Sequence, residues 1–139
     1  MSMKTFAFSL LFLFSFCTFA QQPAKIKFDT ELIDYGTVNY QGDGNRVFKF
    51  TNVGAEPLIL SSVQSSCGCL VPTWSREPVK PGASAVIKVR YDTGRVGNFE
   101  KTVTVNSNAD RPTVVLKIKG KVLPAPTDTV KVIFPVERH

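Results

Sequence analysis

Apolar and polar positions alternate with a period of two along most of the chain between residues 26 and 123. Ala85 to Tyr91 sets Ile87, Val89 and Tyr91 on one face and Lys88 and Arg90 on the other. Phe99 to Asn106 groups Phe99, Val103 and Val105 opposite Glu100, Thr102 and Thr104. Thr113 to Val122 places Val114, Leu116, Ile118 and Val122 on one side, with Lys117, Lys119 and Lys121 on the other. Such alternation predicts half-buried antiparallel strands, wet on one face and packed on the other. Arg46 to Asn52 and Leu58 to Val63 alternate less strictly, and Ile26 to Phe28 and Leu32 to Val38 supply one or two strands more. No stretch of useful length carries a helical period.

Turn chemistry separates these runs. Gln41-Gly42-Asp43-Gly44-Asn45, Asn52-Val53-Gly54, Lys80-Pro81-Gly82 and Asp92-Thr93-Gly94 all carry residues suited to a positive or preset φ. About seven short antiparallel strands at this spacing predict an all-β, immunoglobulin-like β-sandwich over residues 26–123. There is no Cys…Trp…Cys framework of an antibody domain, so the core is expected to rest on aliphatic and Phe packing. Pro124-Ala125-Pro126 opens a C-terminal extension, residues 124–139, in which Val130 to Phe134 offers a further edge strand.

The first twenty residues read differently. Lys4 precedes a Phe- and Leu-rich run from Phe6 to Phe19, and Thr18-Phe19-Ala20 ends it with small residues at the positions a signal peptidase requires. The run is shorter than the ~20 residues a bilayer-spanning helix needs. A signal peptide cleaved after Ala20 is therefore expected, leaving a periplasmic or secreted protein without a membrane span. Cys17 follows Phe16 rather than the small residue that lipidation prefers, and it would leave with the leader. The mature chain then has about 119 residues, enough for one domain. It keeps two of the three cysteines, an even number suited to an oxidising compartment. Losing Lys4 lowers the net charge from +6 to +5, a basic balance compatible with anionic envelope partners. An exported protein has little occasion to meet nucleic acid.

Candidate chemistry concentrates in Gln64-Ser65-Ser66-Cys67-Gly68-Cys69. Residues two apart on an extended strand hold their Cβ atoms ~6–7 Å apart, against ~3.8 Å in a disulfide. A Cys67–Cys69 bridge therefore needs a bend, which Gly68 would ease by lacking a Cβ. Closing so small a loop constrains the unfolded chain by only about 1.6 kcal/mol. A bridge here is thus a poor staple and would suit thiol exchange or sensing. Reduced, the two thiolates of Cys67 and Cys69 suit a soft ion such as Cu(I), and suit zinc less, since it wants four ligands. The plain alternative is two small thiols packed under the loop that carries Trp74.

Conventional catalysis lacks its parts. The only histidine, His139, ends the chain, and no phosphate-cradling glycine loop or His-Glu-x-x-His is present. Asp92 and Glu100 read as solvated carboxylates, and Asn52 as a residue satisfying backbone groups of its own turn. The row Lys117, Lys119, Lys121 offers a basic line to an anion, but reads first as a wet strand face that guards against edge pairing.

Phe48-Lys49-Phe50-Thr51-Asn52-Val53-Gly54, followed by Pro57-Leu58, resembles the second strand and asparagine-bearing turn of Hydin-type and major-sperm-protein-type Ig-like domains. The Ser-Ser-Cys-Gly-Cys run is followed by Pro81-Gly82, Tyr91-Asp92-Thr93, Gly94-Arg95-Val96-Gly97 and Val105-Asn106-Ser107-Asn108-Ala109. In that order these motifs are similar to a bacterial exported group, domain of unknown function 1573, over about Phe28 to Val122. Leu70 departs from the family, which carries a threonine after the second cysteine. The resemblance implies a seven-stranded sandwich and no established activity.

Together these readings predict a non-enzymatic interaction module that binds an envelope protein or polymer. Cys67, Gly68, Cys69 and Trp74 are its candidate binding residues, with Pro72 and Trp74 stiffening that end. No cofactor is expected on this reading. The alternative is a thiol-based redox or Cu(I)-binding periplasmic protein.

Overall fold

The computed structural model describes residues 23–127. The expected leader, Cys17, His139 and the Val130 to Phe134 stretch lie outside the described residues. Eight strands follow in order: β1 (Ile26–Phe28), β2 (Leu32–Val38), β3 (Asn45–Asn52), β4 (Leu60–Ser65), β5 (Leu70–Thr73), β6 (Ser84–Tyr91), β7 (Gly97–Ser107) and β8 (Thr113–Val122). They form two four-stranded sheets, ordered β1-β3-β6-β5 and β2-β8-β7-β4. Among the described residues no helix is long and apolar enough to cross a membrane.

The alternating faces pack as the sequence pattern requires. Phe48, Phe50, Ile87, Val89 and Leu70 point inward from the first sheet and Val63, Val103, Val105, Leu116 and Ile118 from the second, all buried. The core is not purely aliphatic and Phe. Tyr91 stacks on Phe99 with ring centroids 3.9 Å apart, and Tyr35 meets Phe99 edge-on at 5.3 Å. The Tyr35 hydroxyl donates to Gly44 O at 2.8 Å, which satisfies its one polar atom inside the sandwich.

Three features differ from the sequence expectation. An eighth strand, β5, lies at the edge of the first sheet, and its Pro72 is tolerated there because an edge position leaves one side of the backbone unpaired. The strand near Leu58 runs instead over Leu60–Ser65, since Leu58 is held by a lone bridge to Val79. Most pairs are antiparallel, but β2 runs parallel to β8. As a result β8 is interior, between β2 and β7, so its lysine row guards no edge. Lys117 Nζ lies 2.8 Å from Glu100 Oε1, and Lys119 Nζ lies 3.9 Å from Asp34 Oδ2. These lysines balance carboxylates on the solvated face of the second sheet.

Candidate functional site

The Cys67-Gly68-Cys69 run forms the turn between β4 and β5, so it carries the chain from the edge of one sheet to the edge of the other. Cys67 and Cys69 are joined by a disulfide, with Cα atoms 5.3 Å apart. That separation is shorter than an extended strand allows for residues two apart, as expected for a bend. Gly68, however, does not lie in the left-handed region, and a Cβ built on it would meet nothing within 4 Å. The bend therefore does not depend on glycine's backbone freedom. Instead the missing side chain leaves open space above the bridge.

Both flanks of the turn are tied to the sandwich. Ser65 Oγ donates to Cys67 O at 2.6 Å, and Ser66 N donates to Thr102 O on β7 at 2.9 Å. Beyond the bridge, Asp92 N donates to Cys69 O at 2.8 Å. Cys69 is buried at 4 % exposure, whereas Cys67 is half-buried.

Beside the bridge runs a groove of about 600 Å³, lined by the β2–β3 loop from Gln41 to Asn45, by Gly68, Cys69 and Val71, and by Arg90 to Gly94. Its walls are stitched together by short hydrogen bonds. Gln41 N donates to Thr93 O at 3.0 Å, Thr93 Oγ1 donates to Gly42 O at 2.7 Å, and Tyr91 N donates to Gly44 O at 3.0 Å. Gly44 is required in this wall, because a Cβ there would collide with the Tyr91 carbonyl. The groove is rigid, and its polar groups include both signs. Asp43 Oδ1 accepts from Asn45 N at 2.9 Å and Asn45 Nδ2 at 2.8 Å, and these two bonds hold its carboxyl below the usual range. Arg90 faces the same space, and Asp92 is paired with Arg95 at 3.5 Å.

Trp74 is not part of this arrangement. It follows β5 on the inward parity of Leu70 and Pro72 and packs half-buried against the core, outside the groove lining. Its Nε1 is buried with no hydrogen-bond partner among the described residues, and Arg76 lies 5.7 Å from the ring centroid. Sequence reasoning left the state of Cys67 and Cys69 open among packed thiols, a disulfide and a metal pair; the structure joins them across Gly68 in the β4–β5 turn. Sequence reasoning missed the groove walls because Gln41–Asn45 and Arg90–Gly94 read only as turns. Their glycines and Asx residues signalled loops, but not which loops would meet.

Among the described residues no group of three or more His, Cys, Asp or Glu side chains could hold a metal ion. The donor set at the bridge is two sulfurs. Reduced, it fits two-coordinate Cu(I) and falls short of a zinc site.

The sequence model of the family described as "Protein of unknown function (DUF1573)" matches residues 26–122. No curated protein matches the sequence. Among solved structures, a protein of unknown function from Porphyromonas gingivalis is similar at 23 % identity and a TM-score of 0.65. The match covers 73 % of this chain and 48 % of that protein, so this chain spans about half its length. The seventh PapD-like (ASH) domain of human CEP192 is similar at 9 % identity and a TM-score of 0.62, over 75 % of this chain and 89 % of that domain. The secreted serine protease VesC of Vibrio cholerae matches at 18 % identity and a TM-score of 0.56, over 76 % of this chain and 25 % of that protein. At these identities the likeness is one of fold.

Proposed function

Because the chain belongs to the DUF1573 family, whose function is unknown, we propose a role from its geometry: an exported, non-enzymatic interaction module of the bacterial envelope. It would be cleaved after Ala20 and recognise an envelope protein or polymer with the disulfide-bearing end. The observation that carries this reading is the rigid groove beside Cys67–Cys69, where exposed Val71, Arg90 and Asp43 offer an apolar contact and both charges. Pre-formed clefts on loops held by a rigid scaffold are the usual place for recognition in sandwich folds. Gly68 gives the test its handle, since it borders the groove and a side chain there would meet no clash and need no strained backbone. Gly68→Trp should fold with unchanged stability and lose the partner that wild type captures by crosslinking in the native envelope. An unchanged set of captured partners would move the functional surface elsewhere.

A second reading, thiol redox or Cu(I) handling, is favoured by the bridge itself. It encloses a single residue and contributes only about 1.6 kcal/mol of chain-entropy stabilisation, so stapling is a weak reason for its presence. The structure would then act as a mount for the pair, with Cys67 the more exposed residue and Cys69 bordering the groove. Copper would bind only the reduced pair, through both thiolates. Exchange with a dithiol donor at a rate well above that of a small-molecule disulfide would favour this reading over simple binding.

A further inference from the structure

The two sheets differ in charge. None of the four strands of the β1-β3-β6-β5 sheet contains an acidic residue, yet they carry five basic ones: Lys27, Arg46, Lys49, Lys88 and Arg90. Arg46 is engaged, with its guanidinium 4.1 Å from the Tyr35 ring centroid and donating to Asn45 O at 2.7 Å. The other four are exposed on the outer face, and among the described residues none forms an ion pair. Asp29, just past β1, donates its amide to Lys49 O at 3.0 Å but leaves the ammonium unpaired. On the opposite sheet, by contrast, Lys117 and Lys119 each have a carboxylate partner.

Register turns these four cations into a line. Arg90 sits across from Asn45, Lys88 from Val47, Lys49 from Val86, and Lys27 from Thr51, which itself faces Ser84. Arg90, Lys88, Lys49 and Lys27 therefore occupy successive rows while stepping from β6 through β3 to β1. Neighbours along that diagonal are about 7–8 Å apart, and the stripe is about 22 Å long. Exposed Val47 and Val86 flank its centre on either side.

We propose that this stripe binds a linear polyanion, specifically an acidic polysaccharide that carries a carboxylate on each sugar unit or on every second one. A single file of evenly spaced, uncompensated cations matches a chain of repeating charge. Val47 and Val86 give the C–H faces of the sugars an apolar surface to lie on. A membrane surface would reward a broad basic patch, whereas here the rest of the face is Asn, Val, Thr and Ser. The inference rests on the proposed binding role; its surface meets the groove only at Arg90, and Lys88, Lys49 and Lys27 lie outside the groove lining.

The probe is polygalacturonate, bound by the whole mature protein. Wild type should bind with an affinity that falls steeply between ~50 and ~200 mM salt as counterions are released. Lys27→Gln/Lys49→Gln/Lys88→Gln, which leaves the groove lining intact, should lose about tenfold or more and show a flatter salt dependence. The control Lys117→Gln/Lys119→Gln/Lys121→Gln removes the same charge from the other sheet and should stay near wild type. Equal losses in both variants would mean that net charge alone drives binding, and would overturn the proposal. So would face-dependent binding to vesicles of equal parts phosphatidylcholine and phosphatidylglycerol, or to polyglutamate, without binding to polygalacturonate. Should the first variant unfold, lysine acetylation of wild type decides. The polymer should slow modification of Lys27, Lys49 and Lys88 and spare Lys117, Lys119 and Lys121, and the reverse pattern would sink the idea. Gly68→Trp should keep polygalacturonate binding, so failure of the groove reading and failure of this one are separable.

Discussion

Asn52 is fully buried, and all its side-chain hydrogen-bonding capacity is used. Its Oδ1 accepts from Gly54 N at 3.0 Å and Lys25 N at 3.4 Å, while Nδ2 donates to Glu56 O at 2.7 Å and Val79 O at 2.9 Å. One side chain thus ties three segments, where the sequence suggested only a local turn. Asn52→Ala would strand buried backbone groups from each, and a loss of about 2–4 kcal/mol is expected in denaturant unfolding, with an unchanged m-value. A loss under ~1 kcal/mol would mean that water replaces the bonds. Tyr35 gives a pH-dependent counterpart. Burial pushes its phenol up to about 12 from the model-compound value of 10.0, with the nearby Arg46 opposing. The folded value lies above the unfolded one, so this contribution is complete below pH ~10 and fades as pH rises towards ~12, by about 2 kcal/mol. Stability measured across that window should fall less steeply in Tyr35→Phe than in wild type. Parallel slopes would show that other groups set the alkaline limit.

Strand identity was legible wherever a run was long enough to alternate, as in β6, β7 and β8, because burial on one face imposes a period of two. β5 escaped notice because four residues containing Pro72 carry no countable alternation. The parallel pairing of β2 with β8 escaped because alternation marks a strand's faces and says nothing about its neighbour's direction. The same blindness produced the edge role assigned to the lysine row. At this scale the Cys67–Cys69 bridge can be weighed against the other ties of the β4–β5 connection. Asp92 N to Cys69 O, Ser66 to Thr102 and the burial of Leu70 hold the turn without it. Cys67→Ser with Cys69→Ser should therefore stay folded, at a cost under about 2 kcal/mol in equilibrium unfolding. Loss of a cooperative transition in that variant would make the bridge a structural staple.

Across the whole molecule, the sandwich followed from the pattern of faces and turns. The groove did not, since its walls come from loops about fifty residues apart that only the strand order brings together. Trp74 lies outside the groove lining for a related reason, because its parity after a strand too short to recognise turns it towards the core. This architecture also orders local stability. The interior strands β3, β6, β7 and β8 have partners on both sides, while β1, β2, β4 and β5 each leave one edge unpaired. Hydrogen exchange should be slowest in the interior four and faster at the edges, with the three-residue β1 among the first to open. Reducing the bridge should then speed exchange over residues 64–73, the stretch it directly constrains, and leave β3, β6 and β8 unchanged. That outcome would place the disulfide on a locally adjustable end of a rigid body, as the thiol reading requires. If reduction instead accelerated exchange throughout both sheets, the bridge would be coupled to global unfolding, and a role as a site free to change state would be untenable.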